Sequence, residues 1–336
     1  MRLIHIIGPL ILLLGVPLPA VAQAATPVTA SPVATASSDF AGLIDIGGGR
    51  RLYLECRGQG SPTVIFEAGL RSRSDIWSRD THHPAGTRTM VLPGVAAFTR
   101  VCAYDRPGTI GEVDPTFDPS GPLFYPSRSD PVSQPRTAKD MVADLHALLR
   151  AAEVPGPYVL VGHSYGGLVM RLYASTYPDE VVGMVLVDAT PEDVWLRFQE
   201  SLTPAQWAEF EVLTVTNQEL QDAYPEVEQV WITPLADDSS TRQVCQAQID
   251  SPLRPMPLAV LSHGIPFGAP FPGWPSDEME GIMLSLQSDL AQLTPNARHG
   301  IATESGHDIH QDQPDLVIAE IREVVEAVRH PSTWTT

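Results

Sequence analysis

The stretch Val159-Leu160-Val161-Gly162-His163-Ser164-Tyr165-Gly166-Gly167 decides how this chain is read. An apolar, β-branched run ends at Gly162, and a helical pattern over 166–177 follows and stops at Pro178. A serine framed as G-x-S-x-G between a strand and a helix sits in a very tight turn. Gly162 and Gly166 keep side chains out of that turn, so the backbone can hold Ser164 in a strained conformation with its hydroxyl exposed. The hydroxyl then stands over a helix N-terminus, where free backbone N–H groups favour negative charge. Ser164 is therefore the candidate nucleophile. The plainer reading is a glycine-rich turn carrying a harmless serine.

Outward from this point, short β-rich runs alternate with helical patterns. Runs at 43–46, 51–56, 63–66, Val101–Tyr104, 158–161, 184–187 and 258–261 read as strands, with a weaker last one at 300–303. The first two form a hairpin over Gly47-Gly48-Gly49, which needs no reading beyond a turn. Thr137, with Asp140 three residues on, caps a helix whose apolar face is Met141, Leu145, Leu148, Leu149 and Ala152. Val317, Ile321, Val324, Val325 and Val328 form a second such face near the end. The alternation predicts a mostly parallel α/β sheet covered on both sides. Two stretches interrupt it. Residues 112–135, rich in Pro, Ser and Asp, read as a long loop. Residues 191–252, helical, acidic and carrying Trp195, Trp207 and Trp231, read as a cap inserted after the sixth strand, over the sheet's C-terminal edge.

A serine hydroxyl is a weak nucleophile until a base takes its proton. His307, in Glu304-Ser305-Gly306-His307-Asp308, stands between the last strand and the last helix and is the candidate base. His310 reads as a partly exposed surface residue, and His163 lies too close to the nucleophile to double back on it. His82, His83, His263 and His299 read as loop residues, the adjacent pair being a weak metal signal. The acid that orients the base has two candidates. Asp188 directly follows the strand 184–187, whereas Asp277 lies in Ser276-Asp277-Glu278, a helix start where a carboxylate has a structural role. Position favours Asp188, with Asp277 as the alternative. Two N–H donors are expected to hold the oxyanion: Tyr165, immediately after the nucleophile, and Leu70, in the Glu67-Ala68-Gly69-Leu70 loop after the third strand.

The bulk properties bound the rest. The chain has 336 residues, 43% hydrophobic, enough for a sizeable core. Its 21 Lys+Arg against 40 Asp+Glu give a net charge of −19, which argues against nucleic acid and anionic membranes as partners. Residues 1–24 have a basic start, an apolar run and small residues for cleavage, and read as a secretory signal peptide; an uncleaved anchor is the alternative. Residues 25–39 read as a disordered Ala/Ser/Thr/Pro tether. The expected destination is secreted or periplasmic, with no membrane span in the mature chain. Export permits disulfides. Cys56 and Cys102, each in a strand, are the first pair to consider, and Cys245 would then be free.

Gly162-His163-Ser164-Tyr165-Gly166-Gly167, Tyr104-Asp105-Arg106-Pro107-Gly108 and Ser305-Gly306-His307 together resemble the α/β-hydrolase superfamily, over nearly the whole span from residue 40 to 330. The resemblance implies an eight-stranded sheet with only the second strand antiparallel, a core of 40–190 with 253–330, and the chain order Ser…Asp…His. It also places the second and fourth strands side by side, which would bring Cys56 to Cys102. Two departures stand out. The family's frequent His-Gly after the third strand is Ala68-Gly69 here, and its usual Asp after the seventh strand is replaced by Ser262-His263-Gly264-Ile265. The second departure supports Asp188. Tyr104-Asp105-Arg106 reads as a structural, charged turn.

The expected activity is cleavage of a carboxylic ester or similar acyl bond in a small molecule through an acyl-enzyme on Ser164. Trp195, Trp207, Trp231, Phe267, Phe271 and Trp274 would form an apolar pocket, or simply pack a lid. Arg71 and Arg73 are candidates to pair with a substrate carboxylate, against the plainer reading of a solvated loop. One alternative is a proline-type exopeptidase of the same fold, with Glu226, Glu228, Asp237 and Asp238 meeting the peptide amine. Another is a non-catalytic secreted binding protein. No metal, nucleotide or flavin motif is visible, so no cofactor is expected.

Overall fold

A computed structural model of the chain describes residues 39–112, 124–213, 228–229 and 239–334. The expected signal peptide, most of the tether, Trp231, Glu226, Asp237 and Asp238 lie outside the described residues.

Eight strands form one sheet in the order β1 (Phe40–Gly47), β2 (Arg50–Arg57), β4 (Val101–Tyr104), β3 (Thr63–Glu67), β7 (Tyr158–His163), β8 (Val181–Val187), β9 (Leu258–His263), β10 (Arg298–Ala302). Only β2 runs antiparallel to its neighbours. β3, β4, β7 and β9 are buried at every position and β8 at all but Val182, as expected where helices cover both faces of a parallel sheet.

One face carries α2 (Ala138–Ala151), α3 (Tyr165–Thr176) and α6 (Ser240–Asp250), and its core includes Leu145, Leu148, Leu168, Leu172 and Val244. The other carries α1 (Val91–Ala96) and α9 (Pro314–Arg329), whose Val317, Ile321, Val324 and Val325 form the expected stripe. The start of α2 is fixed as its sequence implies, since the Thr137 N–H donates to Asp140 Oδ2 at 2.8 Å. A third apolar cluster lies apart from these two. In it α4 (Val194–Ser201) and α5 (Pro204–Glu211) pack through Val194, Phe198 and Phe210 on Phe271 and on Met279 and Met283 of α7 (Ser276–Leu290).

Cys56 and Cys102 face each other across the antiparallel β2–β4 pair, with Cα atoms 4.1 Å apart, and are joined as a disulfide. Cys245 is the free cysteine, and burial beside Asp193 pushes its thiol up to about 11. The stretch read as one long loop holds more order than expected. Phe124–Pro126 (β6) pairs with Ile110–Glu112 (β5) in a small separate sheet. His263 and His299 are likewise not loop residues: each lies in a strand, β9 and β10 respectively. Among the described residues, no helix is long and apolar enough to cross a membrane.

Candidate active site

Parallel strands ending at the same edge deliver their following residues to one place. Here the edge gathers Glu67 at the end of β3 with Ala68–Leu70 after it, Asp105 and Arg106 after β4, Ser164 after β7, Asp188 after β8 and His307 in the loop after β10.

Ser164 has φ 52° and ψ −126°, a conformation that L-residues rarely adopt. Its neighbours hold it there. Ser164 N donates to Val187 O at 3.2 Å, and Ser164 O accepts from Gly167 N and Thr190 N, both at 2.9 Å. The elbow also lies directly against the β3 loop. A Cβ on Gly166 would fall 2.5 Å from Glu67 O, and one on Gly69 would fall 3.3 Å from Ser164 Cβ. At Gly166, where the clash would be with backbone, only glycine allows that approach; at Gly69 a side chain would crowd the elbow.

Asp188 is equally constrained. It turns into the left-handed region (φ 43°) immediately after β8, and its N–H donates to Leu261 O at 2.7 Å. Its carboxylate then faces two histidines. Oδ2 lies 2.6 Å from His307 Nδ1, and Oδ1 lies 2.8 Å from His263 Nδ1 and 3.1 Å from the His263 N–H. Burial alone would push this acid up, but the hydrogen bonds and charges of His263 and His307 outweigh it and hold Asp188 far below the usual carboxylate range. With Nδ1–H directed at Asp188, His307 keeps Nε2 as the basic nitrogen. Asp277, the alternative acid, is exposed in the first turn of α7.

The loop that follows β3 is held by a buried charge network. Arg106 donates to Ala68 O (2.8 Å) and Gly69 O (2.6 Å), and pairs with both Glu67 and Glu228. The Tyr104 hydroxyl donates to Glu67 Oε2 at 2.5 Å. Glu228 in turn accepts the Arg71 N–H at 2.8 Å, where Arg71 stands at φ 64°. Capture of the two carbonyls by one guanidinium fixes the peptide planes on which the Leu70 N–H depends. Tyr165 is the first residue of α3, so its N–H has no acceptor within the helix.

Ser164, Asp188 and His307 line one cavity of about 320 Å³. Its walls are mainly Val194, Trp195, Phe198, Phe210, Phe267 and Trp274, with Glu280 among the few polar groups. The roof thus comes jointly from α4 and α5, from the loop before α7 and from α7 itself. Trp207 and Phe271 pack behind it.

Several side chains stand elsewhere than the sequence implied. Arg71 and Arg73 do not line this cavity; Arg71 Nε meets Glu228 O and Arg73 pairs with Asp75. Glu228 is buried against Arg106 and does not line this cavity. His82 and His83 do lie in a loop, but turn to different partners, Asp312 and Arg88. His310 is buried, not a surface residue, and its ring packs on Trp77 and His163. His163 does reach the site: Nε2 donates to the His307 carbonyl at 3.1 Å. Burial, with the charge of His307, pushes His163 down to about 4, and burial holds His310 well below the ordinary value. Ligand atoms of His163, Asp308 and His310 lie within 4.8 Å of one another. His163 Nε2 is committed to a backbone carbonyl, and the rings of His163 and His310 pack together behind His307. His263 and Glu280 escaped the sequence reading. The signal that points to His263 is its position at the end of the strand beside Asp188, where the family's pattern carries its acid.

Residues 64–320 match the model of the alpha/beta hydrolase family. The chain is 27% identical over 271 residues to "Uncharacterized protein YqjL" of Bacillus subtilis, covering 80% of this chain and 85% of that one. It is 26% identical over 336 residues to an "AB hydrolase superfamily protein" of Gibberella zeae, covering 85% and 94%. Among solved structures, it resembles a putative lipase from Acinetobacter baumannii, with a TM-score of 0.55, 18% identity and coverage of 87% and 93%. Sheet order, elbow geometry and family match agree, and the chain belongs to the alpha/beta hydrolase family.

Proposed function

We propose that this chain is a serine hydrolase that cleaves a carboxylic ester, or a similar acyl bond, through an acyl-enzyme on Ser164. The observation that carries the reading is the 2.6 Å His307–Asp188 hydrogen bond on the wall of the same aromatic-lined cavity as the strained Ser164. In this mechanism His307 Nε2 takes the Ser164 proton as Oγ attacks the carbonyl carbon. The N–H groups of Leu70 and Tyr165 hold the resulting oxyanion. The tetrahedral intermediate collapses, the alkoxide leaves with the proton carried by His307, and the acyl group stays on Oγ. Water, deprotonated by His307, then attacks the acyl carbon; the bond to Oγ breaks, Ser164 takes the proton back from His307, and the carboxylic acid is released. The aromatic walls favour an apolar acyl or alcohol group, and the reaction needs no cofactor. An exported enzyme fits both the signal-like residues 1–24 and the disulfide.

The test is hydrolysis of short and medium p-nitrophenyl esters by the mature chain beside Ser164→Ala. The expected result is turnover that falls by about three orders of magnitude or more in the variant. Equal activity of the two proteins refutes Ser164 as nucleophile. Inertness of a folded wild type towards every ester refutes the ester reading.

A further inference from the structure

His263 closes β9, and its side chain, like that of Asp188, has no solvent exposure. Nδ1 lies 2.8 Å from Asp188 Oδ1 and Nε2 lies 2.9 Å from Glu280 Oε1 on α7. An imidazole placed between two ionised carboxylates donates to both only as the imidazolium. We propose that His263, charged and clamped between Asp188 and Glu280, is a positioning residue for acyl transfer: it fixes the Asp188 carboxylate and tempers its charge towards His307. The inference rests on the reading of Ser164, His307 and Asp188 as the catalytic groups.

Three observations support it. First, Asp188 Oδ1 accepts from both the backbone N–H and the ring of His263, so rotation of the carboxylate would break two bonds before it released His307. Second, burial disfavours a charge on His263, yet the hydrogen bond and charge of Asp188, and then Glu280, outweigh it and raise its pKa above the ordinary value. Third, the Phe267 ring lies edge-on to His263 at 4.6 Å and tilts against His307 at 5.4 Å, adding an apolar cover to both rings.

The other ionisable groups around the base come from different elements. His163 closes β7, Asp308 follows His307, His310 lies in the short helix α8 (Ile309–Asp312), and His82 reaches to within 3.9 Å of Asp308. None of these contacts the outer oxygen of Asp188, which His263 holds. With His307 neutral, the row reads Asp188 negative, His263 positive, Glu280 negative. Loss of the central positive charge leaves His307 facing uncompensated carboxylates, which favours its protonated, inactive form.

The experiment measures kcat and KM against pH for a p-nitrophenyl ester in wild type, His263→Gln and Glu280→Gln. Near-ultraviolet circular dichroism checks the fold. In His263→Gln, kcat is expected to fall about tenfold or more while KM changes little. The acid limb of kcat/KM should move to higher pH by about one unit. Glu280→Gln keeps a hydrogen-bonding partner for Nε2 but lets His263 become neutral, so a smaller move in the same direction is expected. An unmoved limb in both variants overturns the proposal, whatever happens to kcat. Histidine-labelled wild type examined by NMR gives a second readout independent of turnover. It should show one doubly protonated ring, absent in His263→Gln, that persists to higher pH than an ordinary histidine; a neutral ring overturns the proposal. If Ser164→Ala retains activity, the catalytic reading fails instead, and the NMR result still decides the charge of His263.

Discussion

Arg106 balances one positive charge against two buried carboxylates, Glu67 and Glu228, and also ties down the carbonyls of Ala68 and Gly69. Burial opposes its charge, but the two carboxylates hold the guanidinium well above its ordinary range, while burial raises Glu67 against the pull of Arg106. Such a buried cluster adds little net stability, because desolvation offsets much of the attraction. Its geometric role is specific: a planar fork with several fixed donors serves five acceptor oxygens on four residues at once, which an ammonium cannot do. Arg106→Lys is therefore expected to keep the charge and lose the alignment of the Leu70 N–H. kcat for ester hydrolysis should fall about ten- to a hundredfold, with a smaller change in KM, since an oxyanion donor acts chiefly in the transition state. Steady-state kinetics on the folded variant check this, and an unchanged kcat would sink the role given to this network. Asp105, beside it, faces the other way and binds Ser74 and Arg128. Of the charged turn read from the sequence, one residue is thus purely structural and the next supports the site.

At the scale of elements, the disulfide is the clearest case of sequence and topology acting together. Cys56 and Cys102 are 46 residues apart and close a loop that contains β3 and α1. Loop-closure entropy gives such a link about 4 kcal/mol, and measured values usually fall nearer 2–4 kcal/mol. Denaturant unfolding of Cys56→Ser/Cys102→Ser should show a loss in that range, while the proposed ester hydrolysis under native conditions persists, because the bond joins β2 to β4 near the N-terminal end of β4, opposite the sheet edge that carries Ser164. A midpoint equal to wild type would show that the link contributes nothing. The strands, the elbow and the terminal His307 were legible because each is a local pattern: apolar runs, glycines around a serine, a histidine between strand and helix. What was not legible joins distant segments. His263 meets Asp188 across 75 residues, and Glu228 meets Arg106 across 122. No periodicity in either neighbourhood encodes the partner. The cavity roof was legible in part: Trp195, Phe267 and Trp274, read as pocket aromatics, do line it, whereas the meeting of α4, α5 and α7 that seats them is again a contact between distant segments.

The whole molecule should record its buried histidines in its response to acid. His163 and His310 are buried and held neutral, His163 pushed down to about 4. In the unfolded chain both titrate near pH 6.5. Between these values the unfolded state binds more protons than the folded one, so stability falls as pH drops. His163 alone accounts for a loss on the order of 3 kcal/mol across that window, since about 2.5 pH units at 1.36 kcal/mol each separate the two states. His263 acts with the opposite sign. Its folded value is raised, so its contribution is complete below pH 6.5 and disappears as pH rises through the folded value. The lowered carboxyls of Asp188 and Asp105 add their own loss only below about pH 4, where the unfolded acids begin to protonate. Thermal melting from pH 7 to pH 4 should therefore show a steady fall in Tm that starts above the carboxylate range. His310→Gln should shallow that fall between pH 6.5 and 4, because a neutral amide takes no proton in either state. The same slope in variant and wild type would mean that His310 does not remain neutral in the fold. Ester hydrolysis by wild type in the same buffers, below the onset of melting, then separates protonation of the base from loss of the fold.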